Sequence, residues 1–263
     1  MRKYVYIFLS EIMSNLQYIG NIILGFIGYL IHIFVFLNLW EYLYSDSTQV
    51  INGYTMKQMV WYVIITELLW MIVSGNKYCK KIINDVRSGN IAYNITKPYN
   101  YILYAISGHL GECVVRGIIY IILSMGIGLL FLGSFPKLNI LSILLVFISF
   151  IMAILINMFF STFIGLLSFF IEDATPFYWL YGKLVLILGT IFPIEFFPKF
   201  IRPILSYSPI YAMSYGPAKL FVDFDFNMFF KIFISQIIYI IISYIMCLLL
   251  FRKGVKKLNV NGG

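Results

Sequence analysis

Charged side chains are scarce in this sequence. Only 11% of its 263 residues are Asp, Glu, Lys or Arg, whereas 61% are hydrophobic. Soluble domains carry about 25% charged residues, so this chain has too few to cover a surface that faces water. The composition therefore excludes an ordinary soluble domain and predicts an integral membrane protein.

The motifs that carry common enzyme chemistry are also missing. The sequence has no GxxxxGK[ST] phosphate loop, no GxGxxG after a strand and no HExxH. Its three cysteines lack CxxC spacing, and it has only two histidines. We therefore expect that the chain is not an enzyme and holds no metal, disulfide or cofactor of its own. The net charge of +8 comes from basic residues beside apolar runs, which indicates contact with lipid headgroups rather than nucleic acid.

Long apolar runs fill most of the chain. A helix of about 20 apolar residues spans the hydrocarbon core of a bilayer. On this basis we predict an all-α integral membrane protein, with one transmembrane domain over residues 1–263. Its six transmembrane helices are predicted at residues 22–40, 59–73, 101–132, 140–171, 177–191 and 231–251.

Basic residues are densest near both termini and between the second and third spans. Cytoplasmic segments carry such an excess of Lys and Arg. We therefore predict a multi-pass protein of the plasma (cytoplasmic) membrane with both termini in the cytoplasm, which an even number of spans allows.

The first 19 residues have apolar side chains on one helical face, among them Val5, Leu9 and Met13, and polar ones opposite, among them Glu11 and Asn15. This pattern predicts an interfacial helix at 1–19. An early extension of the first span is the alternative.

Residues 76–100 form the one sizeable internal loop. Apolar residues at helical spacing predict a short amphipathic helix that Gly89 ends, and alternation at 91–95 predicts an extended strand. The exposed face is either a docking surface or an ordinary solvated loop. The residues predicted for docking are Lys80, Lys81, Asp85, Arg87 and Ser88.

Residues 192–226 are rich in proline but too apolar for a solvated loop. Two short helices that enter the outer leaflet and return would bury them, and broken backbone at that depth needs a protein cover or a cavity. We predict an external re-entrant helical hairpin, with an interfacial aromatic belt as the alternative. Its marker residues are Pro193, Glu195, Pro198, Pro203 and Pro209.

Four polar residues interrupt the apolar spans. Glu67 lies in the second span, whereas His109, Glu112 and Arg116 share one face of the third. A charge at mid-membrane costs about 2.5–3.5 kcal/mol, which pairing of Arg116 with Glu112 or Glu67 would offset. The cluster is either a structural ion pair or a proton relay or substrate contact.

The order of these elements resembles the transmembrane permease of type-2 ABC exporters. The residues that carry the resemblance are DVRSGNIAYNITKP at 85–98, and Gly189 with FPIEFFPKF at 192–200. Thr190 stands where the family pattern has a second glycine. The resemblance implies a second permease, identical or related, and separate ATP-binding subunits that hold ATP and Mg²⁺ and dock on residues 76–100.

Two other functions remain open at this point. One is an ATP-independent secondary transporter or channel that uses Glu67, His109, Glu112 and Arg116 as a proton or ion path. The other is a membrane scaffold or immunity protein that transports nothing.

Overall fold

The computed structural model describes residues 2–44 and 49–261, which fold almost entirely into helices. Residues 45–48, in the loop between the first two predicted spans, lie outside the described residues, as do the first residue and the last two. The helices in the described residues are α1 Arg2–Gln17, α2 Ile19–Leu43, α3 Met56–Val73, α4 Gly75–Arg87, α5 Asn90–Ile95, α6 Tyr101–Leu132, α7 Ile140–Leu166, α8 Thr175–Val185, α9 Arg202–Ser206, α10 Gly216–Val222 and α11 Phe226–Asn261. Short 3₁₀ or π-helical turns cover Leu167–Phe169, Leu186–Ile191, Ile194–Phe196 and Tyr211–Tyr215. The all-α class predicted from the sequence is confirmed.

Five helical stretches in the described part of the chain are long and apolar enough to cross a bilayer. They are Ile19–Leu43, Met56–Arg87, Tyr101–Leu132, Ile140–Phe169 and Phe226–Lys257. The predicted fifth span corresponds instead to α8, of 11 residues, and the π-helical turn of 6 residues that follows it. At about 1.5 Å of rise per residue, this pair falls short of the ~30 Å hydrocarbon core.

Helix α3 lies at the centre of the bundle. It buries 13 of its 18 residues and packs against α2, α6, α7 and α10. A hairpin of β1 Val50–Ile51 and β2 Tyr54–Thr55 leads into it, and a capping box between Thr55 and Gln58 fixes its first turn. Its last residue is followed by Ser74, whose φ of 45° is in the left-handed region, so the chain turns before α4 begins.

Helix α1 packs along α6 through the side that carries Phe8 and Glu11. Gly108 and Gly111 leave room for it, because a Cβ on Gly111 would lie 2.5 Å from the carbonyl oxygen of Phe8. Glu11, expected on the solvated side, is half-buried there, whereas Val5 and other predicted apolar-face residues are exposed. The pattern of α1 alone could not predict this contact, because the space for α1 is created by the two glycines of α6.

Residues 90–95 are helical, so the predicted strand at 91–95 is wrong. Gly89 has a φ of +76° and ends the preceding helix as predicted, and α5 starts directly after it. Ile91 is buried while Tyr93 is exposed. A segment of six residues is too short to distinguish the two-residue period of a strand from the 3.6-residue period of a helix. No strand pairs with it in the described residues.

Both described ends of the chain lie beside the start of α6. The backbone amide of Asn100 donates to the hydroxyl of Tyr4, at 2.9 Å. Near the other end, the ring of Phe251 stacks on Tyr101, with 5.7 Å between centroids. The termini and the segment from α4 to α5 therefore share one end of the bundle, which we call the docking end.

Candidate functional site

Helix α4 is held on the bundle by its apolar face. The face packs mainly on α7, and its side chains are Tyr78, Cys79, Ile82, Ile83 and Val86, the residues that the helical spacing predicted. Gly165 on α7 allows the close approach, because a Cβ there would lie 2.8 Å from Ile82. On the remaining surface of α4, Asn84 and Arg87 are exposed.

The five predicted docking residues have different surroundings. Arg87 and Ser88 are exposed at the end of α4. Asp85 is half-buried and accepts a hydrogen bond from the hydroxyl of Tyr101, at 2.8 Å. It therefore anchors α4 to α6 and does not point away from the bundle.

The two lysines are also engaged elsewhere. The ammonium of Lys81 lies 3.9 Å from the carboxylate of Glu11 on α1. Lys80 lines a cavity between α3 and α8. The predicted set thus separates into an exposed pair, an anchor, a contact with α1 and a cavity residue.

Tyr93 is an exposed residue that sequence reasoning missed. Its side chain is 66% exposed, and the ammonium of Lys97 lies 4.1 Å from the ring centroid. An aromatic residue next to Asn94 in a mixed stretch was the available signal, but the strand prediction assigned it to an alternating pattern. We call the exposed surface formed by Asn84, Arg87, Ser88, Asn90 and Tyr93 the docking tip.

The turn from α7 to α8 lies on the same end of the bundle. The Asp173 carboxylate accepts a hydrogen bond from the backbone amide of Thr175, at 2.9 Å. Hydrogen bonding from the Thr175 hydroxyl and amide holds the pKa of Asp173 below its ordinary value. This carboxylate therefore stays ionised at the start of α8, where an anion is favoured.

Three of the four predicted intramembrane residues meet in one cluster. Arg116 donates to the Glu112 carboxylate at 2.8 Å, and His109 Nδ1 lies 3.2 Å from the same oxygen. The other ring nitrogen of His109 lies 2.6 Å from the carbonyl oxygen of Val73, and the ring stacks on Tyr78 at 4.1 Å. The cluster therefore ties α6 to the junction of α3 and α4.

Glu67 does not join that cluster. Its hydrogen-bond partner in the described residues is His32 on α2, at 3.5 Å. The Glu67 side chain is 2% exposed, whereas that of His32 is 55% exposed. Spacing along one helix cannot reveal this pair, because its two members come from different spans.

A cavity of about 400 Å³ opens beside Glu67. It lies between α2, α3, α4 and α8, and its walls combine aromatic rings with charged groups. The residues that characterise it are His32, Glu67, Trp70, Lys80, Trp179 and Lys183. The cavity could not be predicted from the sequence, because four separate helices contribute its walls.

At the opposite end, Glu195 gathers the segment 192–226. Its two carboxylate oxygens accept hydrogen bonds from Tyr54, at 3.0 Å, and from Tyr215, at 2.6 Å. Burial and the nearby carboxylate raise the pKa of Tyr54 well above its ordinary value, so the phenol stays protonated and donates. Arg202 donates to the backbone carbonyl of Glu195 at 2.7 Å. Glu195 is thus a structural anchor of this end.

The four predicted prolines of this segment punctuate its short turns. Pro193 precedes the turn Ile194–Phe196, and its carbonyl accepts from the amide of Phe196. The carbonyl of Pro198 accepts from Ile201, and Pro203 lies in the first turn of α9. Pro209 lies just before the π-helical turn Tyr211–Tyr215.

The π-helical turn after α8 is stabilised by side chains. The carbonyl oxygen of Gly189 accepts from the hydroxyls of Tyr62, at 2.6 Å, and Ser214, at 2.9 Å. Thr66 donates to the carbonyl of Thr190 at 3.3 Å. A Cβ on Gly189 would lie 2.6 Å from Ile210, so glycine is required here, while Thr190 is accommodated where a second glycine was expected.

The described residues contain no group of three or more His, Cys, Asp or Glu that could hold a metal ion.

Comparison with curated proteins found no match. The sequence does match the family model of the ABC-2 family transporter protein, over residues 29–262. That match covers most of the chain and includes α3 to α11, so it agrees with the resemblance noted in the sequence. Together with its apolar helices, it makes the chain a multi-pass membrane component of transport rather than the ATPase, and implies association with an ABC ATP-binding subunit. The chain belongs to the ABC-2 family of transporter permeases.

Proposed function

We propose that this chain is the permease subunit of an ATP-driven exporter and forms half of a translocation path. A separate subunit would bind ATP and Mg²⁺, hydrolyse ATP and dock on the docking tip. The observation that carries this proposal is the two-sided character of α4. Its apolar face packs on α7, whereas Arg87 at its end is exposed. Interfaces favour Tyr and Arg as anchors, and Tyr93 and Arg87 are both exposed in this segment.

The proposed topology puts the docking end in the cytoplasm. Both described termini lie at that end, and basic residues are densest there. The chain would then cross the plasma membrane six times. In this topology α8 and its π-helical turn would be a short fifth crossing, which a locally thinner bilayer accommodates. The segment 192–226 would re-enter the outer leaflet from the far side, and α1 would lie in the cytoplasmic interface with its exposed apolar residues in lipid.

A second permease, identical or related, would cover the side that carries His32 and Lys183. His32 is exposed near the middle of α2, and Lys183 is exposed in the last turn of α8. A polar group that faces lipid at this depth is costly, and such residues face a protein or a water-filled path. A dimer with this side at its centre would place both groups on a water-filled path between the two permeases.

The test is a double variant of the docking tip, Arg87→Ala with Tyr93→Ala. Because both side chains are exposed, insertion and thermal stability should stay as in the parent. Loss of two anchors that contribute about 1–2 kcal/mol each should weaken binding of the ATP-binding subunit by about tenfold or more and lower substrate-stimulated ATPase activity. The matched control is Lys57→Ala with Lys137→Ala, two exposed residues at the opposite end.

Full ATPase stimulation in the tip variant would remove the docking role. Transport by the purified permease alone would instead favour the ATP-independent path through Glu67, Glu112 and Arg116. The geometry supports that path less, because Glu67 pairs with His32 and lies apart from the Glu112–Arg116 pair.

A further inference from the structure

The cavity between α2, α3, α4 and α8 has the dimensions of a ligand site. Its volume of about 400 Å³ lies within the range of about 300–1,000 Å³ typical of small-molecule sites, which are mostly apolar with a few polar groups. Trp70 and Trp179 supply the apolar walls. Trp70 is fixed by stacking on Tyr178, at 6.2 Å between centroids, so one wall is preformed.

The accessible charge in this cavity is positive. Lys80 and Lys183 both line it and are exposed, and neither forms an ion pair within the described residues. The ammonium of Lys183 lies 5.5 Å from the ring centroid of Trp179. Glu67 is the acidic residue of the lining, but it is 2% exposed and contacts His32. The two ammonium groups are therefore more accessible to a ligand than the carboxylate.

We propose that this cavity binds an amphiphile with one anionic group, either a phosphate or a carboxylate. The anion contacts Lys80 and Lys183, and the apolar body packs on Trp70 and Trp179. A cationic amphiphile would be repelled by the two lysines. The proposal deepens the proposed transport function by naming a substrate class, but binding itself needs neither ATP nor the ATP-binding subunit.

The first measurement uses the parent protein in nanodiscs of phosphatidylcholine. Octyl phosphate and octyltrimethylammonium, which differ in the sign of their charge, are titrated by calorimetry, with empty discs subtracted. Octyl phosphate should bind at least about tenfold more tightly, the ratio that 1.4 kcal/mol produces. Equal affinity for the two probes would overturn the proposal without any variant having to fold.

The second measurement uses variants of the two lysines. Lys80→Gln with Lys183→Gln should weaken octyl phosphate binding by about tenfold or more, because hydrogen bonds to charged groups are the strong ones. Lys183→Arg keeps the positive charge, so its affinity for octyl phosphate should stay within about threefold of that of the parent. This is a smaller change than the tenfold that 1.4 kcal/mol produces. The control Lys77→Gln with Lys253→Gln removes two exposed lysines outside the cavity and should bind as the parent does. An equal loss in the control would contradict the assignment.

A third arm separates the two sources of such an amphiphile. Phosphatidylglycerol in the discs should compete with octyl phosphate if the occupant comes from the membrane, and should leave binding unchanged if it comes from water. Either result is consistent with an anionic site. Since the permease alone is titrated, failure here leaves the docking tip untouched, and loss of ATPase coupling in the tip variant leaves this binding untouched.

Discussion

Replacement of Arg116 by Met tests whether the intramembrane cluster is structural. Arg116 is 10% exposed and Glu112 25% exposed at the side chain, and they meet at 2.8 Å. Breaking a fully buried pair costs about 3–5 kcal/mol, and an exposed pair contributes about 0–1 kcal/mol. Because Glu112 is partly exposed and keeps its contact with His109, we expect about 2 kcal/mol, or about 4–8 °C in melting temperature for a chain of this size.

The partner of Arg116 is identified by rescue. Adding Glu112→Gln removes the unpaired carboxylate and should restore most of the lost stability, whereas adding Glu67→Gln should restore none, because Glu67 contacts His32. Thermal stability in detergent, measured by tryptophan fluorescence, compares the parent, the single variant and both double variants. An Arg116→Met protein as stable as the parent but inactive would refute the structural role, and rescue by Glu67→Gln would refute the pairing.

Two further predictions concern the π-helical turn and the topology. Tyr62→Phe and Ser214→Ala each remove one of two side-chain donors to the Gly189 carbonyl, and each should lower the free energy of unfolding by about 1 kcal/mol. The double variant should lose more stability than the sum of the two, because the carbonyl then has neither of these donors. Additive changes in melting temperature would contradict the shared role. Cysteine at Lys137 should react with a membrane-impermeant thiol reagent added to intact cells, whereas cysteine at Asn84 should react only after permeabilisation, and the reverse pattern would invert the proposed orientation.

The sequence predicted those features that depend on apolar content along one segment. Long apolar runs fix the helices, and the predicted third span, 101–132, coincides with α6. The buried face of α4 followed from its helical period. The strand prediction at 91–95 was wrong because so short a segment cannot separate a period of 2 from one of 3.6. The predicted fifth span, 177–191, coincides with α8 and its π-helical turn, but the apolar run did not reveal the change of backbone at Leu186.

The candidate sites depend on contacts between segments, which a single sequence does not contain. Asp85 looked like an exposed residue of an amphipathic helix, yet Tyr101 on α6 holds it. Glu67 was considered a partner of Arg116 because consecutive spans usually pack together, yet α2 supplies His32 instead. Only His109, Glu112 and Arg116, which lie on one helical face, could be grouped from spacing alone.

Two of the hydroxyl groups that hold the far end of the bundle come from one short stretch of chain. Tyr54 donates to Glu195, and Tyr62 donates to Gly189. The same stretch continues through α3 and turns at Ser74 into α4. The far end and the docking tip are therefore joined by one continuous segment, residues 54–87, and we expect a displacement of α3 to reach both. In an assembly of two such chains, each chain would carry its own connection of this kind between the two ends.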